Sequence, residues 1–183
     1  MSTKNTTRKM KRVFKKNEFK SNDGILTSVW GPSMWHSMHS ISFNYPINPT
    51  TQNKKEYRDF ILNLQHILPC GKCRENLKNN FKTLPLTMDK MKNRETFSRY
   101  VYDLHEVVNT MLGKKSALSY EDVRERYEHF RARCLSEDVP IKTENGCVEP
   151  LYGIKSKCVL KIVPYDEKCE TLEVDNKCLK QRK

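Results

Sequence analysis

The sequence predicts an all-α protein, a four-helix bundle with a short fifth helix, followed by a cysteine-rich C-terminal extension. Three observations predict it. From residue 28 to 134 apolar side chains recur at three- and four-residue intervals, the spacing that lines one face of an α-helix. Pro46, Pro69, Pro85 and Gly113 divide that stretch into segments of helical length with short connections, as a bundle requires. No convincing strand interrupts it.

The elements follow in order. Pro32, after Gly31, suits a first helical turn, where its missing N–H costs nothing. Trp35, Met38, Ser42 and Tyr45 continue at helical spacing until Pro46. In the second helix Tyr57, Phe60, Ile61, Leu64 and Leu68 form one apolar stripe ended by Pro69. A third helix begins around Cys70 to Cys73 and runs through Leu77 and Phe81. The fourth spans about 94–112, with Phe97, Tyr100, Val101, Leu104, Val108 and Met111 inward and Gly113 at its end. Ser119 and Asp122 read as a capping box. They open a fifth helix with Val123, Tyr127 and Phe130 on one face.

Outside the bundle the composition changes. Residues 1–27 are basic: the run from Lys4 to Lys20 holds Lys4, Arg8, Lys9, Lys11, Arg12, Lys15, Lys16 and Lys20 against the single acid Glu18. Such an arm is expected to be disordered or to carry a targeting signal. Residues 135–183 bring Pro140, Pro150 and Pro164 with Gly146 and Gly153, and lose helical spacing. Val159 to Val163 reads as a possible strand.

The net charge of +12 attracts polyanions, but much of it sits at the two ends, so nucleic acid is expected only through the N-terminal arm. No apolar run approaches the roughly 20 residues that cross a membrane, and the N-terminus lacks the apolar core of a secretory signal. A cytosolic, non-secreted protein is expected. Seven cysteines in such a chain point to metal or redox chemistry.

Pro69-Cys70-Gly71-Lys72-Cys73-Arg74 is the strongest local signal. Two cysteines on the first turn of a helix close a small disulfide ring, and the helix dipole with Lys72 and Arg74 stabilises a thiolate there. Half of a zinc site is the competing reading, although no second Cys-x-x-Cys supplies the remaining ligands. A thioredoxin fold is excluded by the missing alternation of strands and helices. Trp35 and His39 share a helix face, as do His105 and Asn109, and Lys114 follows the fourth helix. Two such pairs with a cation suit a polar ligand inside a bundle; a dinucleotide fits, with rings stacked on its bases and Lys114 at its phosphates. Buried core histidines are the alternative.

Gly31-x-x-x-Trp35-x-x-x-His39, Tyr45-Pro46, Pro69-Cys70-x-x-Cys73, His105-x-x-x-Asn109 and Leu112-Gly113-Lys114 occur in order. Together they resemble the Erv/ALR family of FAD-linked sulfhydryl oxidases, most closely those of large cytoplasmic DNA viruses. The resemblance covers about residues 30–134. It implies a bundle that is usually a homodimer and holds FAD in its mouth, and that passes electrons from a dithiol protein, such as a thioredoxin-like one, to FAD and then to oxygen with release of hydrogen peroxide. It implies that Cys73 lies against the isoalloxazine and that Cys70 exchanges with the incoming dithiol. Gly31, Trp35, His39, Phe43, Tyr45, His105, Val108, Asn109, Lys114 and Tyr127 would bind FAD, with Tyr127 where relatives often carry tryptophan. It also implies the cytoplasm of an infected cell, or the virion, as the place of action. Two departures stand out. Tyr102 and Ser119 occupy the positions of a structural disulfide of many cellular members, and Glu106 replaces the first Asn of the family's His-Asn-x-Val-Asn. A zinc- and nucleic-acid-binding helical protein and an inactive oxidase-like scaffold are the alternatives to this function.

Cys147, Cys158, Cys169 and Cys178 recur in the extension, and Cys134 lies near the end of the fifth helix. Three readings stay open: a cysteine shuttle feeding the active disulfide, two disulfides stapling a small module, and a zinc site of atypical spacing. The expected division is a basic arm over 1–27, an oxidase domain over 28–134 and the extension over 135–183.

Overall fold

The computed structural model describes residues 14–133, 149–164, 166–167 and 172–181. Five α-helices make the body: α1 (Thr27–Phe43), α2 (Thr51–Ile67), α3 (Gly71–Thr83), α4 (Arg94–Met111) and α5 (Tyr120–Glu128). The first four pack as a bundle in which α4 lies against α1 and α3, α2 packs on α3, and α5 crosses α1. Single-turn 3-10 segments occupy 18–20, 88–91 and 176–178.

Local chemistry sets these limits. Thr50 with Asn53, Asn93 with Thr96, and Ser119 with Asp122 form reciprocal capping boxes on α2, α4 and α5, each satisfying two of the N–H groups a helix start leaves free. α4 ends in a Schellman motif. Gly113 takes φ +68°, its N–H reaches Thr110 O (3.0 Å), and the Lys114 N–H returns to Asn109 O at 2.8 Å; glycine adopts that left-handed backbone without a Cβ penalty. The core is Tyr45, Ile61, Leu64, Met91, Phe97, Tyr100, Val101 and Leu104.

Several expectations need correction. α1 starts five residues before Pro32, which sits inside the helix. The Trp30 indole N–H donates to Ile25 O (3.0 Å), and the Val29 N–H bonds Leu26 O, so contacts ahead of the proline nucleate the turn. Phe60 is 39 % exposed and Met111 44 %: both lie at the margin of their helical stripes, beyond the reach of the packed neighbours. Phe130 falls past the end of α5 and is exposed. Val159 to Val163 forms no strand. The one strand pair among the described residues joins β1 (Ala132–Arg133) antiparallel to β2 (Glu149–Pro150), tying the extension to the end of α5. Residues 14–26 include a 3-10 turn and then an extended stretch, whose Ile25 N–H donates to Pro69 O at 2.8 Å. The rest of the basic arm lies outside the described residues.

Candidate active site

Cys70 is the N-cap of α3, in extended backbone after Pro69, and its Sγ accepts the Cys73 N–H at 3.2 Å. The two cysteines are joined in a disulfide with Cα atoms 5.2 Å apart. Both are half-buried, and Cys73 is the one packed against the hydrophobic core. Arg74 donates to Leu68 O (2.5 Å) and Lys72 pairs with Glu75 (3.0 Å), so positive charge stays beside the motif. The first residue of α1 reaches it as well: Thr27 Oγ1 lies 3.4 Å from Cys73 Sγ.

From that point α1 carries a stripe of residues four apart: Thr27, Gly31, Trp35, His39 and Phe43. Sixteen residues of helix rise about 24 Å, and the stripe winds slowly because four residues exceed one turn. A Cβ on buried Gly31 would meet only the Thr27 methyl, at 3.5 Å. Trp35 stacks face to face on His105 (3.9 Å between centroids, 7°). His39 Nε2 and His105 Nδ1 are hydrogen-bonded at 3.1 Å. Phe43 stacks on Tyr127 (5.2 Å, 13°). The result is a wall of rings on α1, α4 and α5 leading away from the disulfide.

The electrostatics of this wall are those of neutral imidazoles. Burial, then the neighbouring His105 and His36, push His39 down to about 3. Burial takes His105 down to about 4, against the raising effect of Glu106 and with the lowering effect of Lys114. Burial raises the Tyr127 phenol, so it stays protonated, 3.1 Å from His36 Nδ1. His39 Nδ1 is buried with no hydrogen-bond partner among the described residues. Buried polar atoms are nearly always satisfied, so an unpaired imidazole nitrogen within aromatic walls fits a ligand with planar rings and polar edges.

Most of the sequence-derived candidates converge here. Asn109 donates to Glu106 Oε1 at 3.0 Å, Val108 is half-buried beside it, and the Schellman turn sets exposed Lys114 just past the C-terminus of α4. Tyr45 does not join them. It is fully buried between Tyr57 and Phe97, with its hydroxyl donating to Met91 O (3.0 Å). Sequence reasoning passed over His36 and Thr27, and took Glu106 only as a departure from the family's pattern. The spacing His36-x-x-His39-x-x-x-Phe43 was the available signal for His36, and the i, i+3 spacing to Asn109 that for Glu106; the Thr27 contact is visible only once the start of α1 meets α3. Cys158 is exposed and Cys178 half-buried, both as free thiols, while Cys134, Cys147 and Cys169 lie outside the described residues. A separate concavity of about 390 Å³, lined by Leu118, Asp122, Glu125, Arg126, His129, Leu172, Val174 and Leu179, lies between α5 and the extension, away from the disulfide.

The sequence model of the Erv1/Alr family matches residues 32–128, which takes in α1 to α5 apart from the first turn of α1. The chain belongs to the Erv1/Alr family. It is similar to a protein of Acanthamoeba polyphaga mimivirus named as a probable FAD-linked sulfhydryl oxidase, 38 % identical over 99 residues, which are 54 % of this chain and 68 % of the relative. It also resembles the FAD-linked sulfhydryl oxidase of African swine fever virus, 31 % identical over 54 % of this chain and 80 % of the relative. Among solved structures it is similar to the yeast Erv1 core, with a TM-score of 0.52 and 25 % identity over 69 % of this chain and 96 % of the other. The shared region is the five-helix body that carries the disulfide and the ring wall.

Proposed function

We propose that the protein is an FAD-dependent sulfhydryl oxidase that makes disulfides in protein dithiols and passes the electrons to oxygen, with release of hydrogen peroxide. The observation that carries it is the Cys70–Cys73 disulfide at the head of a ring-lined stripe. FAD, when bound, supplies the two-electron acceptor that returns the reduced cysteine pair to a disulfide and is itself reoxidised by oxygen. Trp35, His39, Phe43, His105, Val108, Asn109 and Tyr127 hold it by stacking and hydrogen bonds, Gly31 leaves room for close approach, and Lys114 meets its phosphates. The relatives named for FAD support this assignment.

The cysteine chemistry is thiol–disulfide exchange. A substrate thiolate attacks Cys70 Sγ, the Cys70–Cys73 bond breaks, and Cys73 leaves as a thiolate. The second substrate thiol, as its thiolate, then displaces Cys70, closing the substrate disulfide and leaving a reduced pair with two electrons to pass on. Exchange is faster when the departing sulfur is a stabilised thiolate, and Cys73, held against the core beside the start of α1, is placed for that part.

The catalytic unit in this reading is residues 28–134, with 1–27 as a basic arm and 135–183 as an accessory extension. A second copy of the chain is the proposed partner on α2, where exposed Phe60 and Ile67 (39 % and 68 %) stand seven residues apart on one face. The viral relatives support action in infected cytoplasm, and among the described residues no helix is long and apolar enough to cross a membrane. The test is oxygen consumption with dithiothreitol. Wild type consumes oxygen and forms peroxide, whereas Cys70→Ser and Cys73→Ser retain FAD but lose at least 100-fold, on the order expected for a lost nucleophile or electron relay. Turnover surviving in Cys73→Ser contradicts the reading.

A further inference from the structure

Thr27 is the first residue of α1, a place where a threonine hydroxyl ordinarily serves the helix itself. Here the N-cap is Leu26, and it makes no side-chain cap bond. The Thr27 hydroxyl instead points across 46 residues of sequence to Cys73 Sγ, 3.4 Å away. A disulfide sulfur carries no hydrogen, so Thr27 is the donor.

Three contacts hold it there. The Ile25 N–H donates to Pro69 O (2.8 Å), and the Trp30 indole donates back to Ile25 O (3.0 Å). Gly24 makes the close approach possible: a Cβ there would stand 2.9 Å from Pro69 O and 3.3 Å from the Cys70 Cα, both backbone atoms. The Thr27 methyl faces Gly31, which leaves the hydroxyl to Cys73. The titratable and charged groups nearest in sequence to these contacts are Asp23 on the approach segment, His66 in the last turn of α2, and Lys72, Arg74 and Glu75 in the first turns of α3. Lys72 is paired with Glu75, and Arg74 is engaged with Leu68 O. The only hydrogen-bond donor recorded on Cys73 Sγ among the described residues is the Thr27 hydroxyl.

We propose that Thr27 is a catalytic residue whose hydroxyl stabilises the Cys73 thiolate released when the Cys70–Cys73 disulfide opens. The proposal rests on the redox reading of that disulfide. No extra reactant is involved: as the S–S bond breaks, the electron pair stays on Cys73 Sγ, and the hydroxyl that donated to a neutral sulfur donates to an anion. A hydrogen bond to a charged acceptor is stronger than one to a neutral acceptor, so the stabilisation is greatest in the opened state. Easier departure of Cys73 speeds attack at Cys70 and shifts the pair toward its reduced form.

The test uses the full chain, reduced and freed of FAD, with iodoacetamide alkylation of Cys73 followed by mass spectrometry at pH 7. Thr27→Val keeps the shape and removes the donor; it should slow Cys73 alkylation about fivefold through loss of thiolate, and Thr27→Ser should restore the rate. The glutathione equilibrium of Thr27→Val should move toward the disulfide by a similar factor. A purely structural role would loosen the packing and expose Cys73, speeding alkylation instead. An unchanged or faster rate in Thr27→Val, or a failure of Thr27→Ser to rescue, overturns the proposal. Because the readout needs neither FAD nor oxygen, its failure is distinct from failure of the oxidase reading.

Discussion

His39 and His105 share a hydrogen bond and are both held neutral by burial. Unfolding returns each ring to an ordinary imidazole that protonates near pH 6.5. Between that pH and the folded values of about 3 and about 4 the unfolded chain binds more protons, so stability falls as pH falls. Their contribution is complete well above pH 6.5 and is lost progressively as pH falls toward about 3, reaching a loss of about 4 kcal/mol for the pair near pH 5. Thermal melts of FAD-free protein should show Tm falling over that window, and His39→Gln should flatten the slope. A slope unchanged by His39→Gln contradicts the assignment. At the same scale, His36→Ala frees the Tyr127 hydroxyl and should weaken FAD binding several-fold, roughly the effect of one hydrogen bond, measured by quenching of FAD fluorescence on titration with protein.

The helices set these side chains by their ends and their spacing. Gly113→Ala places a Cβ on a left-handed backbone, at a cost of about 1 kcal/mol, and disturbs the Schellman turn that presents Lys114. It should lower both Tm and FAD affinity, whereas Lys114→Ala should lower affinity alone; equal melts for the two variants contradict that division. Tyr102 bridges α4 to the loop before α5, its hydroxyl donating to Leu118 O (2.9 Å) and its ring edge-on to Tyr120 (5.8 Å). A hydrogen bond and an aromatic contact therefore do the tethering between α4 and that loop. Tyr102→Phe should destabilise by about 1 kcal/mol in thermal or urea unfolding. The existence of each helix was legible because periodicity and capping residues are local. Margins were not: whether Phe60 or Met111 is buried depends on the diameter of the neighbour, and the start of α1 on contacts from Ile25 and Trp30. Tyr45 shows the same limit at the site: α1 ends at Phe43, two residues before it, and its side chain turns into the core against Phe97.

Across the whole molecule the body is organised around α1, which links the disulfide at its first turn to the rings of α4 and α5. The extension returns to the outside of that unit. β2 pairs with β1, the Leu151 N–H donates to Arg131 O (2.9 Å), and the Lys180 N–H donates to His129 Nδ1 at 3.0 Å. Arg131 in turn donates to Phe43 O (2.6 Å) and Asn44 Oδ1 (3.0 Å), closing the C-terminus of α1. Docking of the extension therefore reaches the far end of the ring stripe, while the free thiols Cys158 and Cys178 stay outside it. The five motifs that carried the family resemblance all fall within the helical body, whereas the extension offered only cysteine spacing, with no periodicity to read. The most direct measurement is an absorption spectrum of the purified full chain before and after dithiothreitol is added in air. An FAD-dependent oxidase gives an oxidised-flavin spectrum that bleaches when oxygen is exhausted and returns when air is readmitted. A colourless protein that cannot be reconstituted with FAD would contradict that function.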